Sequence, residues 1–106
     1  MLYKINDIVL TEIVQESKEA IRPYLIINIE NGIYKGIPIT NKNNKSKSLM
    51  PISKKYGLYK DDFLLNYYKN FYFEDIINKI GEVSSDYLNK NINIKELKSY
   101  DDIKFN

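Results

Sequence analysis

The chain has no cysteine, histidine or tryptophan, and only one arginine among fifteen lysines. Without cysteine there are no disulfides, no thiolate nucleophile and no zinc site of the usual kind, a composition that suits a reducing cytosol. Without histidine there is no imidazole acid–base catalysis, no histidine-based triad and little basis for a transition-metal site. Proline (three) and glycine (four) are scarce, so each one marks a specific backbone event. No apolar run approaches the roughly 20 residues that span a bilayer, and the N-terminus lacks a signal-peptide pattern. The expectation is a soluble, cytoplasmic protein without metal or cofactor.

What is present is 106 residues with 43% apolar content and a net charge of +2. That length suits one domain with one modest core. Residues 1–98 are expected to form it, and residues 99–106, "SYDDIKFN", to fray as apolar content fades. A charge of +2 does not by itself point to nucleic acid.

The first third reads as strands. "NDIVLTEIV" is a β-branched run after a turn-forming Asn6-Asp7 pair, and "YLIINIE" follows Pro23. Asn31-Gly32 is the strongest hairpin signal in the chain. Two registers compete across this turn. A three-residue loop of Glu30, Asn31 and Gly32 would gather Leu25, Ile27, Ile29, Ile33, Ile37 and Ile39 on one face, whereas a two-residue loop mixes the faces. Apolar alternation therefore predicts the three-residue loop, with Leu25 opposite Ile37 and Ile29 opposite Ile33. In that register the lone arginine, Arg22, lies directly opposite Thr40, and both point away from the apolar face. Pro38 lacks a backbone donor, so the strand should be bulged or at an edge there and the hairpin mouth open.

Residues 41–60 carry Lys42, Lys45, Lys47, Lys54, Lys55 and Lys60 with no acidic residue, around a short candidate strand near Leu49 to Ile52. A solvated loop is the ordinary fate of such a run; an anion-attracting rim beside Arg22 and Thr40 is the functional alternative. "FLLNYYKNFYF" favours a strand by its aromatic content, and "IINKIGEV" reads as another, closed by Gly81. The aromatic cluster Tyr67, Tyr68, Phe71, Tyr72 and Phe73 fits a core or dimer interface better than a base-stacking platform. Ser84 or Ser85 should cap a helix through "DYLNKNINIKEL". The pattern predicts a mainly β fold: a small, strongly curved antiparallel sheet with one C-terminal helix. The pairs Asp61-Asp62, Glu74-Asp75 and Asp101-Asp102 are scattered and read as surface or turn residues.

Four short pieces occur in order: "NDIVL", "RPYLII", "GIPIT" and "INKIGEVSSDYLNK". Together they resemble the MazF/PemK-like toxin family, whose members combine a Gly-Asp opening, an Arg-Pro strand, a Pro-Ile/Leu-Thr strand end and a Lys-x-Gly segment before the last helix. The resemblance spans about residues 5 to 92. It implies an SH3-like barrel, usually homodimeric, that cleaves single-stranded RNA without a metal and is held in check by a cognate antitoxin, protein or RNA. It also implies that Arg22 and Thr40 form the catalytic pair. Asn41, Lys42, Lys45 and Lys47 would then contact the substrate. Asn6 stands where the family has glycine, Asn41 where serine or threonine follows the threonine, and "LLNYYKN" where a Gln-Val-Arg-Ser type of segment is frequent.

A guanidinium is a planar fork that matches two phosphoryl oxygens, which suits a chain without histidine. No residue stands out in the sequence as the group that moves the protons. The competing expectations are a non-catalytic small barrel or winged-helix module of a plasmid or other mobile element, binding nucleic acid or protein, and a toxin-like inhibitor of another protein such as a topoisomerase.

Overall fold

The structure is a computed structural model that describes residues 2–15, 18–40, 48–52 and 62–104. It is mainly β. The strands are β1 (Asp7–Gln15), β2 (Lys18–Glu30), β3 (Ile33–Thr40), β4 (Ser48–Ile52), β5 (Asp62–Leu65), β6 (Tyr67–Tyr72), β7 (Ile76–Glu82) and β8 (Lys98–Ser99). Two short helices, α1 (Ser85–Asn91) and α2 (Tyr100–Lys104), complete the C-terminal part. The ladders run in the order β4-β5-β3-β2-β1-β7, with β6 paired to β3 and β8 paired to β6.

No ladder joins β7 to β4, β6 or β8 among the described residues, so these strands do not close into a barrel. The reason lies in β3. Its first half pairs with β6 through Ile33↔Tyr72 to Gly36↔Lys69, and its last two residues pair with β5 through Ile39↔Leu64 and Thr40↔Phe63. The sheet branches at Pro38, between the two ladders. Proline has no N–H for either one.

The β2–β3 turn differs from the expected three-residue loop. Asn31 and Gly32 both have positive φ, 53° and 79°, which is the requirement of a two-residue type I′ turn. Glu30 accordingly pairs with Ile33 and Ile29 with Tyr34. A bulge then leaves Ile27 as the extra residue between Ile26↔Gly36 and Asn28↔Lys35, and beyond it Leu25 pairs with Ile37 as expected. The bulge reconciles a tight turn with the outer register.

It also lets β2 bury both faces. Leu25, Ile27, Ile37 and Ile39 join Ile8 and Leu64 in one core cluster, which Val83, Leu88 and Ile92 cover from the α1 side. Tyr24 and Ile26 join Val9, Tyr34 and Phe71 in a second cluster on the opposite face, with Ile29 packed against it. Each buried aliphatic or aromatic side chain contributes about 1.5–3 kcal/mol. The two clusters together, rather than one, stabilise the sheet.

Ser84 caps α1, its Oγ accepting the Tyr87 N–H at 3.0 Å. Asp86 lies in the first turn, where a carboxylate complements the helix dipole. The helix ends at Asn91, short of the expected Leu97, because Ile92 adopts an extended conformation and buries its side chain. Of residues 99–106, where the sequence predicts fraying, 99–104 instead complete β8 and form α2, and β8 lies parallel to the start of β6.

Candidate functional site

The site begins with the two strands that carry Arg22 and Thr40. Arg22 pairs with Thr11 of β1. The outer β2–β3 register, Leu25↔Ile37 and Tyr24↔Pro38, places Arg22 opposite Thr40 when carried two residues further. Alternation then sets both residues on the face of Tyr24, Ile26 and Gly36. The ladder between the two strands ends at Tyr24↔Pro38, while Thr40 pairs with Phe63 of β5. Arg22 and Thr40 therefore flank an open mouth, each fixed by a different neighbour. Both are partly exposed. Asn41, Lys42, Lys45 and Lys47 lie outside the described residues.

The Arg22 charge reaches two phenols, Tyr24 on the same face of β2 and Tyr67 of β6; Tyr67 packs against Tyr100 of α2, whose ring in turn lies under the ammonium of Lys69. Tyr24 and Tyr67 are buried, with 2% and 7% exposure. The Tyr67 and Tyr100 rings pack 5.1 Å apart at 44°, and the Lys69 ammonium sits 4.3 Å over the centre of the Tyr100 ring, within cation–π range. Behind them the Tyr24 ring meets Phe71 at 5.2 Å.

Gly36 makes this packing possible. A Cβ there would lie 2.6 Å from Phe71 Cε1 and 3.2 Å from Tyr24 Cβ, so the backbone of β3 approaches as only glycine allows.

Burial keeps the Tyr24 and Tyr67 phenols protonated. Burial pushes Tyr24 up to about 12; the Arg22 charge pulls the other way, and the Tyr67 and Tyr100 phenols add to the rise. Tyr67 is raised by burial first, opposed by Arg22 and reinforced by Tyr100. Near neutral pH these groups are hydrogen-bond donors beside a guanidinium. Arg22 has no carboxylate partner among the described residues. Thr11, directly across the ladder from it, is fully buried with a hydroxyl that has no hydrogen-bond partner. The Arg22 guanidinium, without a carboxylate partner among the described residues, together with neutral phenol donors and the nearby Lys69 ammonium has the chemistry suited to an anion. No group of three or more Asp or Glu residues is arranged to hold a metal among the described residues.

The remaining motif residues build a corner of the scaffold. Asn6 has φ 83°, donates its side-chain amide to Ser85 Oγ at 3.0 Å, and through its backbone ties Ile26 to Val83. Asp7 is buried, accepts the Lys4 N–H at 3.0 Å and pairs with Lys79 at 3.2 Å. Lys79 also meets Glu82 at 3.4 Å, and its ammonium is held above its usual range chiefly by the hydrogen bond to Asp7. "NDIVL" and "INKIGEV" thus meet at Asn6, Asp7 and Lys79, away from the mouth that "RPYLII" and "GIPIT" form.

The sequence singles out Arg22 and Thr40 as candidates, whereas Tyr24, Tyr67, Lys69 and Tyr100 enter only with the fold. Tyr24 and the Tyr67/Lys69 pair were open to discovery through the two-residue period of a strand, which puts 22 with 24 and 67 with 69. Tyr100 carries no such signal, since its place depends on where the C-terminal segment docks.

Comparison of the chain with protein-family models and with curated protein sequences finds no match. No helix among the described residues is long and apolar enough to cross a membrane.

Proposed function

We propose that this protein is a toxin-like, metal-independent endoribonuclease of a toxin–antitoxin system, of the MazF/PemK-like kind and on an opened version of its SH3-like barrel plan. The observation that carries the reading is Arg22 on the same sheet face as Thr40, with no carboxylate competing for its guanidinium among the described residues.

The chemistry follows from charge development. When the 2′-hydroxyl of single-stranded RNA attacks the adjacent phosphorus, negative charge grows on the phosphoryl oxygens. A guanidinium fork aimed at those oxygens binds the transition state more tightly than the ground state, and Thr40 adds a hydrogen bond. The phenols of Tyr24 and Tyr67 keep the pocket protonated and free of negative charge. Lys42, Lys45 and Lys47 supply positive charge that attracts the RNA strand, and Asn41, next in the sequence after Thr40, contacts it. The physiological partner is a cognate antitoxin, and the working form is a homodimer in the cytoplasm.

Asn6 supports the family assignment from another direction. Its φ of 83° lies in the region that favours glycine, and asparagine is among the few other residues that tolerate it. The departure from the family's Gly-Asp opening thus preserves the backbone shape that glycine serves.

The test is incubation of the purified protein with a long unstructured RNA in EDTA. Discrete fragments that vanish with Arg22→Ala and with Thr40→Ala support the enzyme. Retained RNA binding without cleavage would instead favour the non-catalytic module, for which the same pocket holds a phosphate and leaves it intact.

A further inference from the structure

Cleavage by a 2′-hydroxyl leaves one proton unassigned. The departing 5′-oxygen takes the electron pair of the P–O bond and needs an acid at that moment. A guanidinium is a permanent cation that does not release its proton as an acid, and the chain has no histidine. The acid has to be another group near the Arg22 guanidinium.

Tyr67 meets the geometric requirements. β6 pairs with β3 through Lys35↔Asn70 and Gly36↔Lys69, so Lys69 and Phe71 share the face of Gly36 and Thr40. Two residues before Lys69, Tyr67 shares it too. Its ring is buried and braced by Tyr100. The hydroxyl makes no hydrogen bond to a described residue, yet it is not among the sealed polar atoms of the interior. The Arg22 charge acts on this phenol and opposes the effect of burial. Other candidates are committed elsewhere: Tyr24 is more deeply buried against Phe71, and the Lys69 ammonium lies over the Tyr100 ring.

We infer that Tyr67 is the catalytic acid of the ribonuclease proposed above, its hydroxyl protonating the 5′-oxygen as the P–O5′ bond breaks. The inference rests on that reading. In the step, the 2′-oxygen bonds to phosphorus and its proton passes to solvent hydroxide. The P–O5′ electron pair moves to the 5′-oxygen, which takes the phenolic proton. The products are a 2′,3′-cyclic phosphate and a 5′-hydroxyl. The Tyr67 phenolate is left beside Arg22, whose charge stabilises it until water returns the proton.

A leaving-group substitution tests this directly. Two RNAs are compared, one natural and one with sulfur replacing the bridging 5′-oxygen at the cleaved linkage, because a thiolate departs without an acid. Tyr67→Phe keeps the ring and removes only the hydroxyl. It should slow the oxygen-linked RNA by about 10²-fold or more, while the sulfur-linked RNA is cleaved within about threefold of the unsubstituted protein. Equal slowing of both substrates, or of neither, overturns the assignment of Tyr67 and leaves the ribonuclease reading standing. If the unsubstituted protein cleaves neither RNA, the ribonuclease reading falls and the acid with it.

Discussion

Arg22 and Thr40 stand on one face of the sheet at the mouth of the β2–β3 hairpin, but Arg22 is held by Thr11 of β1 and Thr40 by Phe63 of β5. The mouth is therefore set by β1 and β5 as well as by the hairpin. Its side chains can be changed without unpicking a ladder between them.

Arg22→Ala should accordingly affect activity far more than stability. The expected loss in cleavage rate is about 10²–10³-fold, as for removal of one preorganised donor. The unfolding free energy should move by about 0.5 kcal/mol or less, since no ion pair to a described residue is lost. Arg22→Lys should recover little activity, because an ammonium cannot span two phosphoryl oxygens as a fork does. Denaturant melts alongside single-turnover cleavage check both parts.

Asn6 offers a test of backbone shape. Asn6→Ala forces a side chain with no local hydrogen bond into φ 83° and loses the contact to Ser85, at a cost of about 1–3 kcal/mol. Asn6→Gly loses the same contact but none of the conformational ease, and should cost under about 1 kcal/mol. Equal destabilisation by the two substitutions, measured by urea unfolding, would contradict the conformational account.

Gly36→Ala should displace Phe71 and disturb Tyr24, because the new methyl would lie 2.6 Å from the Phe71 ring. Overpacking of this kind costs about 1–3 kcal/mol. The Tyr34–Phe71 stack, 5.7 Å between centroids and 11° between planes, should loosen with it. Near-ultraviolet circular dichroism and thermal melts report both changes.

Alkaline pH should destabilise the fold through the Tyr24 phenol. Tyr24 holds its proton to about 12 when folded and to 10.0 when unfolded, so the folded state binds the proton more tightly between those values. Stability is complete below pH 10 and falls as pH rises toward 12, by roughly 2–3 kcal/mol from this group. Lys79, raised through its hydrogen bond to Asp7, acts in the same direction above its ordinary value of 10.5. Tyr24→Phe should remove much of the slope, seen as unfolding midpoint against pH from 9 to 12.

These sites show which parts of the fold the sequence discloses. Strand β1, the Asn31-Gly32 turn and the Ser84 cap rest on local chemistry, and each appears where local chemistry sets it. The hairpin register near the turn does not, because the apolar count assumes one buried face. β2 buries two: Tyr24 and Ile26 face Phe71 while Leu25 and Ile27 face Leu88 and Ile92, and a bulge at Ile27 makes both possible. The single aromatic strand expected through "FLLNYYKNFYF" is broken at the exposed Asn66 into β5 and β6. Tyr100 is the extreme case. Nothing near it in the chain signals that "SYDDIK" turns back to lay a phenol on Tyr67, a contact set only by tertiary docking.

The most direct measurement of the central claim is the identity of the RNA ends. In EDTA, the account predicts fragments ending in 2′,3′-cyclic phosphate and beginning with 5′-hydroxyl, with no cleavage when the nucleotide before the scissile phosphate carries 2′-hydrogen in place of 2′-hydroxyl. Cleavage that persists on the 2′-deoxy substrate, or that survives Arg22→Ala undiminished, would contradict it.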